Sequence, residues 1–151
     1  LQQANGVAQI AMRGHGYIPH LVSKIEDAKG KMTVIDPVPA NVINVAPAIW
    51  DLVFNAMVNV LKPGGTSAII GNAPYTIAGK SGTAQVFSTH GFKSDKNDAL
   101  AKHLRDNTLF IAFAPVENPQ IAIAVVVENS MDAKITTRKV MDYYFERHPV
   151  Q

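Results

Sequence analysis

The segment Lys80-Ser81-Gly82-Thr83 contains the side chains in this sequence that are best suited to binding or catalysis. An ammonium group and two hydroxyls stand together in a stretch whose neighbours predict a strand. Alternation of side chains along a strand places Lys80 and Gly82 on one face and the two hydroxyls on the other. The hydroxyls can donate to a carboxylate, while the lysine adds a positive field. Because Gly82 has no side chain, the backbone of a ligand can approach the strand closely.

Taken alone, this four-residue pattern also fits an ordinary amphipathic strand with solvated hydroxyls, because so short a motif recurs by chance. Exposed N–H groups of the strand could polarise a carbonyl as an oxyanion hole. A nucleophile for acyl transfer is missing from the sequence, which contains no Ser-x-x-Lys and no Ser-x-Asn. The nearest spacing is Thr136-Thr137-Arg138-Lys139, on a predicted helix, where a solvated helix face is expected.

The sequence does not predict a metal site or a cofactor site. The five histidines are dispersed without the spacing of metal ligands, and surface or loop roles are expected for them. The chain has no cysteine, which excludes disulfides and thiolate metal sites. We therefore expect no bound metal and no cofactor.

The composition predicts a packed domain and does not predict a surface for binding nucleic acid or a membrane-spanning segment. The 151 residues are 47% hydrophobic and 17% charged, too apolar for a disordered segment. The net charge of +2 comes from scattered lysines and arginines, so no basic patch for nucleic acid is predicted. No apolar run approaches the roughly 20 residues that cross a bilayer. We expect any membrane anchor to lie upstream of Leu1.

The pattern predicts the order helix, hairpin, helix, strand, hairpin, helix. The predicted segments are an N-terminal helix ending near residue 14, strands at 17–25 and 31–35, a helix from Pro47 to about residue 61, a strand at 75–87, strands at 109–114 and 121–127, and a helix at 133–145. A polar connection at 88–107 carries one turn of helix at 99–104. Hairpins followed by a helix favour an antiparallel sheet flanked by helices, the α+β class. The strand at 121–127 is apolar on both faces, which predicts helices on both sides of it.

Five stretches in order resemble class B penicillin-binding proteins, in particular the elongation-type penicillin-binding protein 2. They are residues 14–22, 65–68, 73–87 with Ala78-Gly79-Lys80-Ser81-Gly82-Thr83-Ala84-Gln85, 104–107 and 112–120. The resemblance covers essentially the whole chain. It implies the penicillin-binding-protein/serine β-lactamase transpeptidase fold, with residues 1–151 as the C-terminal part of a single transpeptidase domain. The part that bears the nucleophile, a linker and a membrane anchor are then expected upstream.

The resemblance also implies roles for the residues of the motif. Lys80 would set the electrostatics of acylation, and Ser81 with Thr83 would hold the terminal carboxylate of the substrate or of a β-lactam. The Thr83 N–H would donate to the oxyanion. The strand edge that would pair with the D-Ala-D-Ala stem peptide comprises Gly82, Thr83, Ala84 and Gln85.

The implied activity is that of a peptidoglycan D,D-transpeptidase, which cross-links stem peptides by serine acyl transfer during cell elongation and is a target of β-lactams. The implied partners are the stem peptide, β-lactam antibiotics and the glycosyltransferase and scaffold proteins of the elongation complex. The implied location is the periplasmic face of the bacterial inner membrane. A septal penicillin-binding protein, a serine β-lactamase and a non-catalytic penicillin-binding sensor remain alternatives. Without the nucleophile, the isolated chain is expected to be inactive.

Overall fold

The computed structural model describes residues 1–86 and 101–150. The helices and strands along these residues follow the predicted order. They are α1 (Gln2–Ala11), β1 (Lys24–Glu26), β2 (Met32–Val34), α2 (Pro47–Asn59), β3 (Ala78–Ala84), β4 (Asn107–Ala114), β5 (Ile121–Val127) and α3 (Ala133–Arg147). Short 3₁₀ turns at Ala68–Ile70 and Lys102–Leu104 complete the fold.

The main sheet is antiparallel with the strand order β3-β4-β5. β4 is the central strand and the most buried, with Phe110, Ala112, Phe113 and Ala114 almost inaccessible to solvent. β3 and β5 form the two edges in the described part of the chain. Strands β1 and β2 make a separate small hairpin.

Helices cover both faces of the main sheet, as the α+β prediction requires. α1 and α2 pack on one face around Phe54, Val7 and Phe113. α3 packs on the other face, where Met141 and Phe145 join a cluster with Phe110. Both α1 and α3 contact β5. The predicted placement of β5 between two helical layers is therefore confirmed.

Local chemistry explains where the helices begin. α2 starts at Pro47, whose fixed φ suits the first turn, and ends shortly before Pro63 and Gly64. The first turn of α3 is tied to the sheet by Thr108. The Thr108 hydroxyl donates to the Ser130 carbonyl at 2.7 Å and accepts the Ala133 N–H at 3.3 Å.

Three predicted strands are shorter than expected. The ladder of β3 begins at Ala78 rather than at residue 75, because in this register Thr76 would lie opposite Pro115, which has no backbone N–H to donate. In the first hairpin only three residues of each strand pair, and all six of them are exposed, so no core holds longer strands in register. The predicted turn of helix at 99–104 corresponds to Lys102–Leu104, and most of the polar connection lies outside the described residues.

Candidate active site

The Lys80-Ser81-Gly82-Thr83 segment lies within β3, at the edge of the main sheet. The backbone edge of β3 that faces away from β4 has no strand partner among the described residues. Pairing of Lys80 with Ile111 and of Gly82 with Leu109 puts these residues on the α1 face of the sheet. The two hydroxyls project to the α3 face. The predicted alternation is confirmed, so each face of the strand offers different groups.

A cavity of about 370 Å³ opens on the Lys80 face of β3. Three structural elements line it, and most of the groups are apolar. The lining residues are Gln3, Gly6, Val7 and Ile10 of α1, Lys80, Ser81 and Gly82 of β3, and Leu109 and Ile111 of β4. A ligand lying along β3 would therefore meet an exposed ammonium group beside a largely apolar wall.

A second cavity, of about 200 Å³, lies on the opposite face of the same strand. Its polar lining consists of hydroxyls and one ammonium group. The groups belong to Thr66, Ser81, Thr83, Thr108 and Lys134. Because hydroxyls and ammonium groups donate hydrogen bonds, this lining suits an anionic group such as a carboxylate.

Lys80 is exposed, and its ammonium donates to the Ser81 carbonyl. The ion pairs between described residues are Arg13 with Asp51 and Arg138 with Asp142, and neither includes Lys80. No described carboxylate therefore neutralises the Lys80 charge, which can act on a ligand or on a neighbouring nucleophile.

The two hydroxyls of the motif differ in their surroundings. Ser81 is partly buried, and its Oγ lies 3.3 Å from the Oγ1 of Thr66. Thr83 is exposed near the end of the strand, and so are Ala84 and Gln85. Ser81 is therefore held in place by a neighbour, whereas the last residues of the predicted binding edge face solvent.

The two glycines of β3 differ in whether the packing of the neighbouring residues requires them. A Cβ added at Gly79 would lie 2.8 Å from two ring carbons of Phe110, so the packing of the core requires glycine there. A Cβ added at Gly82 would meet only the Leu109 Cβ at 3.5 Å, an ordinary contact. The packing of the described residues therefore does not require glycine at position 82.

A polar cluster, missed by the sequence interpretation, anchors the segment that leads into β3. The Tyr75 hydroxyl donates to Asp142 at 2.6 Å, and Arg138 holds the same carboxylate through Nε. Arg138 also donates to the carbonyls of Ile70 and Asn72. Burial, with the adjacent Asp142 carboxylate, raises the pKa of Tyr75 above its usual value. The i,i+4 spacing of Arg138 and Asp142 on one helix face was the available signal.

Thr76, the residue after Tyr75, also anchors this segment. Its hydroxyl donates to Glu117 and accepts the Val116 N–H at 2.9 Å. The connection between β4 and β5 therefore holds the start of β3 from one side, while α3 holds it from the other through Tyr75.

Within residues 1–86 and 101–150, no three His, Asp or Glu side chains are grouped to hold a metal ion. His90 lies outside the described residues. None of the helices that the structure describes is long and apolar enough to cross a membrane.

Comparison with protein families gives a match over residues 1–142 to the penicillin binding protein transpeptidase domain. The chain belongs to this family. The transpeptidase fold expected from the sequence is confirmed by solved structures. Penicillin-binding protein 2B from Streptococcus pneumoniae strain R6 superposes with a TM-score of 0.77 at 25% identity, covering 99% of this chain and 25% of that one. Penicillin-binding protein 2 from Pseudomonas aeruginosa, in complex with WCK 5153, gives 0.67 at 36% identity, covering 94% and 29%.

Curated relatives of this chain are named as peptidoglycan D,D-transpeptidases. The peptidoglycan D,D-transpeptidase MrdA of Haemophilus influenzae is 36% identical over 97% of this chain and 24% of the relative. The MrdA protein of Escherichia coli K12 is 39% identical over 74% of this chain and 18% of the relative. The chain thus spans about a quarter of the length of the relatives it matches.

Proposed function

We propose that this chain forms one wall of the acylation site of a peptidoglycan D,D-transpeptidase. The observation that carries the proposal is the position of Lys80-Ser81-Gly82-Thr83 on a sheet edge without a strand partner in the described chain. Gly82 is open to a ligand, and a cavity lies on each face of the strand. An extended peptide could add to this edge by main-chain hydrogen bonds.

The residues on the two faces of β3 have different proposed roles. Lys80 supplies a positive charge that favours the reactive form of a serine–lysine pair and lowers the energy of the developing oxyanion. Ser81 and Thr83 bind the terminal carboxylate of the substrate, and the Thr83 N–H donates to the oxyanion. Gly82, Ala84 and Gln85 provide the edge that aligns the stem peptide.

The reaction in the longer polypeptide is acyl transfer in two steps. A serine oxygen outside this chain attacks the carbonyl carbon of the D-Ala-D-Ala amide, the C–N bond breaks, and protonated D-alanine leaves. The amine of a second stem peptide then attacks the ester, forms the cross-link and releases the serine. The serine Oγ and the amine each give up one proton, which must pass to a neighbouring base or leaving group.

The cellular role that we propose is cross-linking during elongation, at the periplasmic face of the bacterial inner membrane. The names of the MrdA relatives support the transpeptidase activity. The substrate is the stem peptide, and β-lactams compete for the same edge of β3. The glycosyltransferase and scaffold proteins of the elongation complex are the proposed protein partners.

Labelling by a fluorescent penicillin tests the assignment. In the intact polypeptide that carries this chain, Thr83→Val should slow acylation about tenfold or more, because a hydrogen bond to a charged group contributes about 1.5–3 kcal/mol. Thr33→Val, at an exposed threonine of β2, is the matched control and should label at the normal rate. Unchanged acylation of Thr83→Val would contradict the site.

Two further measurements separate the alternatives. A long-lived penicilloyl ester supports a transpeptidase, whereas rapid release of hydrolysed penicillin would indicate a β-lactamase. Consumption of a D-Ala-D-Ala donor peptide with release of D-alanine distinguishes an enzyme from a non-catalytic sensor. The isolated chain of residues 1–151 should not be labelled, because it lacks the Ser-x-x-Lys nucleophile.

A further inference from the structure

The cavity on the α3 face of β3 contains one charged side chain, Lys134, among its lining residues. Lys134 is the second residue of α3, so the start of that helix places it beside the strand. It is partly buried and forms no ion pair with a described residue. The chain thus places a cation against the strand, without a described carboxylate to neutralise it.

Lys134 is held in this position by a residue that also contacts the motif. Its ammonium donates to the Thr66 carbonyl at 3.2 Å, and the Thr66 hydroxyl lies 3.3 Å from the Ser81 hydroxyl. An ammonium group has three N–H donors, and this contact uses one of them. The other two remain for a ligand or for water in the cavity that Ser81 and Thr83 also line.

We propose that Lys134 is a specificity-determining residue, which strengthens the capture of carboxylate-bearing ligands at the Ser81 and Thr83 hydroxyls. This inference rests on the proposed function. Lys80 projects from the opposite face of β3, so the two lysines act on different parts of one ligand. Lys80 faces the reacting carbonyl in this arrangement, while Lys134 serves the carboxylate end, where a charge-assisted contact favours the ionised form.

Paired penicillin probes test this role in the intact polypeptide that carries the chain. One probe is a fluorescent penicillin with its free carboxylate, and the other is the same penicillin as its methyl ester. The variants are Lys134→Met, which removes the charge, and Lys134→Arg, which keeps it. Lys139→Met, at an exposed lysine of the same helix, is the control. The second-order acylation rate constant is measured at low and at high ionic strength.

We expect Lys134→Met to slow acylation by the free-carboxylate probe about two- to fivefold, the range for one partly exposed charge contact. The ester should react at the wild-type rate, and the difference should shrink at high ionic strength because salt screens the charge. Lys134→Arg should retain most of the preference, and Lys139→Met should behave as wild type.

Two outcomes would overturn the role of Lys134 alone. If Lys134→Met slows both probes equally, the lysine only supports Thr66 and the strand. If it slows neither, the charge plays no part in ligand capture. A wild-type protein that neither probe acylates would instead refute the proposed function, and this inference with it.

Discussion

The two glycines of β3 give a paired prediction, since the packing requires glycine at position 79 and we propose ligand access as the reason for glycine at position 82. The perturbation is a single methyl group at each position. At Gly79 the added Cβ would lie 2.8 Å from ring carbons of Phe110 and 3.1 Å from the Ile111 carbonyl oxygen. Phe110 is only 1% exposed, so its ring is enclosed by the core and cannot swing out into solvent. At Gly82 the nearest atom is an ordinary contact at 3.5 Å.

The expected changes in the free energy of unfolding differ between the two alanine substitutions. Neither glycine has a positive φ, so alanine fits both backbones and restricts the unfolded chain, which stabilises by about 0.4–1 kcal/mol. At Gly79 the overpacking opposes this gain with about 1–3 kcal/mol. We therefore expect Gly79→Ala to lower the free energy of unfolding by about 1–2 kcal/mol. Gly82→Ala should leave it unchanged or slightly raised.

The assay combines denaturant unfolding with penicillin labelling of the intact polypeptide. Gly79→Ala should unfold earlier yet be acylated at close to the normal rate while folded. Gly82→Ala should keep its stability but be acylated more slowly, because its methyl group occupies the space that the ligand backbone needs. The reasoning is refuted if Gly82→Ala is destabilised without slower acylation, or if Gly79→Ala is as stable as wild type.

Two further predictions concern stability. Tyr75→Phe should lower the free energy of unfolding by about 1–2 kcal/mol through loss of the hydrogen bond to Asp142, measured by urea unfolding; no change would contradict the anchoring role. Since the folded pKa of Tyr75 is raised above the unfolded value of about 10, its stabilisation holds below pH ~10 and declines as the pH rises further. The wild type should therefore lose more stability than Tyr75→Phe at alkaline pH. Purified residues 1–151 should bind a hydrophobic dye and lack a sharp melt, because apolar residues such as Leu21 (89% exposed) lie open to solvent. A sharp cooperative transition would contradict this expectation.

The sequence predicted those elements whose signals were local. β5 was predicted with its observed bounds because a continuous apolar run between turn residues allows few alternatives. The start of α2 followed from Pro47. The position of the motif on a strand and the alternation of its faces were also predictable, since both depend on the period of two along β3.

The sequence pattern alone does not determine which apolar helix positions are buried. In α2, Phe54 and Met57 are buried, whereas the equally apolar Ile49 is 46% exposed. α2 is apolar around much of its surface, so only its packing on β3 selects the face. In α3 the buried residues repeat every four positions and include polar Thr137, whose hydroxyl donates to the Ala133 carbonyl.

The two cavities and the contact between Thr66 and Ser81 were likewise beyond sequence interpretation. Thr66 lies 15 positions from Ser81 in the chain, and only the path of the intervening segment brings them together. The contact of Lys134 with Thr66 spans 68 positions. Such long-range pairs depend on the tertiary fold, which no local pattern encodes.

The Tyr75–Asp142–Arg138 cluster has a consequence for the position of β3. Arg138 and Asp142 line neither cavity beside β3, yet they fasten the segment from Ile70 to Tyr75 that delivers the strand to its place. Substitution of either residue is expected to loosen the free edge of β3 without altering the lining of a cavity. The positions that control this edge therefore include residues of α3 that a search by contact with a ligand would miss.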